Sequence, residues 1–479
     1  MNMLRQPKLY AFLLFGVLLG ALASFHLLAA LLAAGLLCGV ALVLADYRRG
    51  LMVLALYAVL DYGIRAFAPF VASIWDELLM LGLFGLWALK YIVYRRDNCL
   101  RATPLDVPIL LYFCVNSLVL FVATPSFRIG VDGMRANVQF MLWYFVAVAL
   151  LKEKKDAWVL VNILLVVGTL IGLHGCYQYV TGVPMPVNWI DSAETGVRTR
   201  AFSIIGSPNI LGSLMALLAP ISAALCLADK NKLRKLMYLC MTLAMGGCLV
   251  FTMSRGAWLG FGLAALILVL FIDSRLLIPA ALLALLACAL MPDVTARILY
   301  MLSPEYIESS QRGGRLIRWQ TGFDIISEQP AFGAGLGHWG GAVAQNYKVA
   351  IKIRGGFTNT VYIDSYFLKI ATEGGIVLFL GFIHLVYEQM IWCYKAIKEQ
   401  TDKFYRYLAF GIFAGLAAVL AHNIAENVFE VPMMTTYFWL LVGILMHLWR
   451  LATVEKKASE AVQADNTDAT PIEGKEITA

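Results

Sequence analysis

Long apolar runs recur along the whole chain. Residues 27–45 and 260–271 contain no polar side chain at all. A backbone that enters hydrocarbon must satisfy every amide internally, which leaves helices and closed barrels as the only spanning structures. Barrel strands alternate polar and apolar residues at period two, and these runs show no alternation. Helices follow. Charged residues make up 14% of the 479 positions and hydrophobic ones 61%, against about 25% charged in a soluble domain. The expected fold is all-α, a polytopic membrane helical bundle.

At about twenty apolar residues per span, helices are expected near 8–23, 27–46, 51–68, 74–94, 105–123, 136–151, 157–179, 208–228, 235–253, 256–273, 276–292, 374–394, 405–422 and 433–450. That is about fourteen spans, or about 12–14 once the shorter ones are allowed to be half-helices. Arg5 and Lys8 precede an apolar run ending Ala21-Leu22-Ala23-Ser24, which mimics a secretory cleavage site. The run continues straight into further apolar sequence, which favours an uncleaved first span.

Basic residues then orient the bundle. Arg48 and Arg49, Lys152 to Lys155, Lys230 to Lys235, Lys395 to Lys403 and Arg450 to Lys457 all fall on one side. Positive-inside makes that side cytoplasmic and puts both termini there. The net charge of +7 is therefore an orientation signal, and no nucleic-acid partner is expected. Three units are expected: transmembrane helices over 1–180, a second membrane unit over 181–451, and a disordered cytoplasmic tail over 452–479. Nine cysteines and six histidines are scattered singly, without ligand spacing. The cysteines are expected as small buried hydrophobes and no metal site is expected.

One stretch breaks the pattern. Residues 293–362 form a polar segment between spans, and a loop of such length without linker composition is usually functional. It carries Arg297, Arg312, Arg315, Arg318, Lys348, Lys352 and Arg354. Positive-inside predicts few cations on the outer side, so Arg198, Arg200, Arg255, Arg312, Arg315 and Arg318 need a reason to be there. A guanidinium forks onto phosphate oxygens bidentately, and such a cluster suits a lipid-linked phosphate or diphosphate. Headgroup contact and ordinary ion pairing are the plainer alternative. Arg255 sits between two apolar spans with almost no loop, an expensive place unless it faces water or an anion.

Within the loop, 315–328 reads as an amphipathic helix ending before Pro330, with Leu316, Trp319, Phe323 and Ile326 at helical spacing. The glycine run Gly333-Ala334-Gly335-Leu336-Gly337 superficially resembles a phosphate-binding motif. No strand precedes it, so a tight turn is expected. Asp364 opens the next helix, either as an N-cap or as a general base at the membrane surface. Asp61 and Arg65 are four apart and expected to pair. His422, Glu426 and Glu430 flank the last outer turn, where they could line a site or sit in water.

Four stretches in order resemble the O-antigen ligase and Wzy-type polysaccharide polymerase superfamily: TRAFSIIGSPNILGSLMALLAP (199–220), TMSRGAWLG (252–260), GGRLIRWQTGFDIISEQPAFGAGLGHW (313–339) and DSYFLKIATEGGIVLFLGF (364–382). The resemblance covers roughly 195–450. It implies a GT-C-like bundle in a bacterial inner membrane, with the active site facing the periplasm. It also implies transfer of a glycan from a polyprenyl-diphosphate carrier to an acceptor hydroxyl, without metal or cofactor. The partners implied are the lipid-linked donor, a glycan or lipid-linked acceptor, membrane lipids and other polysaccharide-assembly membrane proteins. Arg255 and Arg315 match the family's diphosphate arginines, with Asp364 as the third catalytic candidate. Arg318, Arg200, Arg198, Asn209, His338 and Glu373 complete the expected substrate-binding set. Lipid A-core ligases of the superfamily typically carry histidine where this chain has Asp364, which shifts the expectation toward a polymerase. A lipid-linked-oligosaccharide flippase is the alternative from another class. Transporters gather polar residues near the bilayer midplane in two matching halves, whereas these cations gather at one surface.

Overall fold

The computed structural model describes residues 46–94, 102–185, 199–276, 292–301, 315–353, 356–359 and 362–468, with a few isolated positions besides. The expected spans 8–23 and 27–46 lie outside it, as does most of 276–292, along with Arg198 and Arg312. Among the described residues, seven helices are long and apolar enough to cross a membrane. They are α1 (Asp106–Ala123), α3 (Lys154–Thr181), α4 (Pro208–Ala228), α5 (Lys232–Phe251), α8 (Tyr366–Lys398), α9 (Lys403–Asn423) and α10 (Pro432–Asp468). The shorter α2 (Phe127–Val138), α6 (Arg255–Phe271) and α7 (Arg315–Glu328) complete the frame. A two-stranded antiparallel hairpin, Ala350–Ile353 with Gly356–Asn359, is a small addition that the sequence patterning did not announce.

Two expected spans are interrupted. The run 51–68 divides into Gly50–Ala55 and Tyr57–Phe67. The Tyr437 hydroxyl from α10 sits in the break, donating to the Ala55 carbonyl (2.9 Å) and accepting from the Ala58 amide (3.1 Å). A buried hydroxyl thus replaces part of the intrahelical ladder. The run 136–151 is likewise split, by a 3₁₀ turn over Gln139–Met141. At the other end the first part of the expected tail 452–479 is helical, and residues 469–479 lie outside the described residues. Helix α10 continues to Asp468, held by Lys154 on Glu455 (2.5 Å) and Lys456 on Glu399 (3.3 Å).

Helix α4 is the buried centre, packed against α5, α6 and α9. Small residues permit the approach: a Cβ on Gly260 of α6 would lie 2.5 Å from the Ala418 carbonyl of α9, and one on Gly415 would collide with the Leu217 carbonyl of α4. This is the packing expected where lipid removes the hydrophobic drive between helices. Outward faces carry exposed Phe121, Leu170, Leu259 and Leu380, as lipid contact requires. Cys114 and Cys240 face outward too, so burial holds only for cysteines such as Cys248 and Cys393.

The ends of the spans sort by charge. The basic turns before α3, α5 and α9, and after α8, share one end of the bundle, where His447 reaches the Glu153 carbonyl (3.2 Å). Thr252, Arg255, Asp364 and Glu426 share the other. The candidate residues are thus gathered at the pole away from the cationic turns.

Candidate active site

The pole is organised around a broken helix. Within α8, Gly375 has φ 59° and ψ −159°, a backbone region essentially confined to glycine. The break strips carbonyls and amides of their intrahelical partners. The glycine run of the loop supplies replacements: Ala334 and Gly335 amides donate to the Thr372 and Glu373 carbonyls (both 2.9 Å), and the Pro330 carbonyl accepts from Ile376 (2.8 Å). The expected tight turn is present, with Gly333, Gly335 and Gly337 all at positive φ. Its purpose is to dock into α8, and this docking fixes α7 over the start of that helix.

Helix α7 covers Arg315–Glu328 among the described residues, the segment expected to be helical. Its apolar stripe divides: Ile325 and Gly322 turn inward, Gly322 against Ile363 and Leu368, while Leu316 and Phe323 remain exposed. Arg315 and Arg318, three apart on this helix, share a neighbouring face. Asp364 supplies the counter-charge. Arg318 Nη1 donates to Asp364 Oδ2 at 2.9 Å, and Arg315 Nε stands 3.6 Å from the same oxygen. Asp364 is not the N-cap of α8. That place belongs to Ser365, whose hydroxyl accepts from the Leu368 amide at 3.2 Å. Of the two alternatives left open by the sequence, capping is excluded.

Arg315 is shared with a second carboxylate. Its Nη2 lies 3.5 Å from Glu426 Oε2. The same oxygen accepts from Asn209 Nδ2 (2.5 Å), and Asn209 Oδ1 in turn accepts from Arg200 Nη2 (2.8 Å). Asn209 stands in the first turn of α4, behind the Ser207 cap. Burial raises the Glu426 carboxyl above its ordinary value, and Arg315 partly offsets the rise. Glu426, His422 and Glu430 therefore do not sit in water; all three are buried.

Arg255 arrives from the α5–α6 turn. The turn is braced by two other guanidiniums: Arg200 Nε donates to the Thr252 carbonyl (2.9 Å) and Arg297 Nε to the Met253 carbonyl (2.7 Å). Met253 has φ 52°, a left-handed conformation costly for a side chain of its size. Arginines thus take up carbonyls that a helix end leaves exposed. Arg255 is the first residue of α6, so its charge adds to the positive end of the helix dipole. A Cβ on the adjoining Gly256 would fall 2.6 Å from the His422 ring, and His422 Nδ1 meets Ser213 Oγ at 2.6 Å. The Arg255 turn therefore abuts the helix that leads to Glu426.

The structure assembles Arg200, Asn209, Arg315, Arg318 and Asp364 into one network, with Arg255 beside it. Two expected members lie elsewhere. His338 turns its Nδ1 to the Leu336 carbonyl (2.8 Å) within the glycine turn, and burial lowers its proton affinity. Glu373 belongs to a neighbouring buried cluster in which Lys369 Nζ meets Glu430 Oε1 (3.1 Å), Asn137 Oδ1 (3.1 Å) and Glu373 Oε2 (3.6 Å). Lys369 and Asn137 carry no functional signal that sequence reasoning used. The available clue was Lys369 and Glu373 four apart in an apolar helix, each costly unless paired. Tyr362 stands between the two clusters, with burial and then Glu430, Glu426 and Asp364 raising its phenol. The Asp61–Arg65 pair forms as expected, at 2.6 Å. Among the described residues no group of three or more His, Cys, Asp or Glu is arranged to hold a metal ion.

Preorganised cations beside a carboxylate suit chemistry in which negative charge accumulates on a leaving group while a proton is removed. No curated protein matches the chain. Residues 240–383 match the Wzy_C family, described as O-antigen ligase. The matched stretch holds Arg255, Arg315, Arg318 and Asp364.

Proposed function

We propose that the protein is a membrane glycan transferase that moves a polyprenyl-diphosphate-linked oligo- or polysaccharide onto an acceptor hydroxyl at the extracytoplasmic face. The observation that carries this is the position of Arg315, held at 3.6 Å and 3.5 Å between two carboxylates. A guanidinium so divided is available to an incoming anion, and diphosphate oxygens match its fork. Arg255 and Arg318 flank it. As the bond between the anomeric carbon and the carrier breaks, charge builds on the diphosphate and these cations stabilise it. The acceptor hydroxyl attacks that carbon and loses its proton to a carboxylate. One oxygen of each is occupied, Glu426 Oε2 by Asn209 and Asp364 Oδ2 by Arg318, and Glu426 is the better matched of the two because burial raises its proton affinity. Asp364 then serves to hold the two arginines in register.

Polymerisation is favoured over ligation to lipid A-core because the position typically histidine in such ligases is Asp364 here. Arg255→Ala and Arg315→Ala, each in the full-length membrane-embedded chain, are expected to weaken binding of a polyprenyl diphosphate and to abolish transfer, with unfolding temperature retained. Polymer of wild-type length and yield from both variants would remove the diphosphate role.

A further inference from the structure

A cavity of about 350 Å³ opens at the same pole, away from the arginine network. Its wall is contributed by the helices Tyr57–Phe67, Pro69–Ala72 and Trp75–Tyr94, α2, the turn that follows α2, the short helix Ala342–Asn346 with Tyr347, and the first residue of α10. The arginine network does not line it and the transfer chemistry does not use it; of its lining only Val343, Asn346 and Tyr347 fall within the matched residues 240–383. Its size falls in the range of small-molecule sites, about 300–1,000 Å³.

The lining differs in character from the diphosphate cluster. Two tyrosines each lend a hydroxyl to a carboxylate: Tyr57 donates to Asp76 Oδ2 and Tyr347 to Asp132 Oδ2, both at 2.8 Å. Arg135 pairs with Glu77 and stands 3.4 Å from Asp132, while Gln139 Nε2 donates to Glu77 Oε1 at 3.1 Å. Carboxylates with spare lone pairs accept from neighbouring hydroxyls, and a guanidinium and an amide donate to them. Aromatic rings offer flat apolar faces. That combination fits a pyranose, whose hydroxyls ring an apolar face. Three acids against Arg135 and the Asp61-paired Arg65 make the lining unfavourable to an anion.

The cavity is also mechanically joined to the transfer site. Glu430 accepts from the Ala342 amide at 2.8 Å, at the start of the helix that leads into Asn346 and Tyr347. The same carboxylate holds Lys369 at 3.1 Å, one helical turn beyond the start of α8 beside Asp364.

We propose that this cavity is a saccharide subsite that takes neutral or amino-sugar residues of the acceptor glycan. The identification of the occupant as acceptor rests on the transferase assignment; the preference for an uncharged or cationic sugar rests on the cavity alone. The test uses the full-length purified chain in nanodiscs with three probes: cellobiose, the glucosamine disaccharide and a disaccharide of glucuronic acid. Calorimetry or saturation-transfer NMR is expected to detect saturable binding of at least one of the first two and none of the uronate. Tyr347→Ala and Asp132→Ala should weaken that binding at least tenfold at unchanged unfolding temperature. Tyr347→Phe, which keeps the ring, should weaken it less. Arg255→Ala should bind the disaccharide as wild type does. Equal binding of the uronate, or cavity variants that bind like wild type, would overturn the subsite. Disaccharide binding through the cavity in a chain that transfers no glycan would leave the subsite standing and remove the transferase assignment.

Discussion

Arg315 touches two carboxylates and is tightly hydrogen-bonded to neither, whereas Arg318 is anchored on Asp364 at 2.9 Å. Arg315→Lys keeps the charge and loses the fork, so transfer should fall about tenfold to a hundredfold while donor binding weakens less than in Arg315→Ala. A Lys variant as active as wild type would mean that charge alone matters, and equal losses in both variants that the fork carries the whole effect. Glu426 supports a separate prediction with a pH signature. Its carboxyl is raised above the ordinary 4.5 by burial. A raised carboxyl favours the folded state while protonated. That contribution is complete below the ordinary value and is lost as pH climbs through the raised one. Glu426→Gln stays neutral throughout, so its unfolding temperature should match wild type at acid pH and exceed it increasingly above 4.5. Turnover should nevertheless drop by about 10²–10⁴, the usual contribution of a general base. A fully active Gln variant would return the proton to Asp364, which Asp364→Asn then tests.

At the scale of elements, the pole depends on a helix that is deliberately incomplete. The Gly374-Gly375 pair interrupts α8, and the turn 330–335 occupies the gap through backbone hydrogen bonds. A Cβ on Gly375 would lie 2.5 Å from the Ala331 carbonyl group, in a conformation that already costs about 1–3 kcal/mol for a substituted residue. Gly375→Ala should therefore lower the unfolding temperature and abolish transfer together, because α7 loses its seat. Gly206 also has positive φ, but an added Cβ there would meet nothing within 4 Å. Gly206→Ala should cost only the backbone strain, about 1–2 kcal/mol, and keep most activity. If both substitutions behave alike, the docking of the loop is not what positions Arg315 and Arg318.

For the whole molecule, charge is segregated between the two ends. Lys154, Lys456 and their partners occupy one end and the arginine network the other, and the positive-inside trend predicts a cytoplasmic location for the first. A cysteine introduced at Gln345 should react with a membrane-impermeant maleimide in intact cells stripped of outer-membrane shielding. One at Asn231 should react only after the membrane is permeabilised. The reverse pattern would invert the topology and place the arginine network in the cytoplasm.

What the sequence alone determined follows from local rules. Apolar run length fixed the helical membrane class, the excess of cations on alternate turns fixed which ends belong together, and the amphipathic period of 315–328 marked the segment that forms α7. Arginines retained against the positive-inside trend marked Arg255, Arg315 and Arg318, because an isolated guanidinium near lipid is too costly to keep without an anion. The tertiary structure decided what depends on pairing across distance. Asp364 could be cap or counter-ion until the fold put Ser365 in the capping place and Arg318 against the carboxylate. His338 and Glu373 have the right residue types, yet the fold turns one into the glycine turn and the other into the Lys369 cluster. Glu426 is 62 residues from Asp364 and 111 from Arg315, and no local pattern connects them. Only the docking of a loop into a broken helix brings those charges within reach of one another.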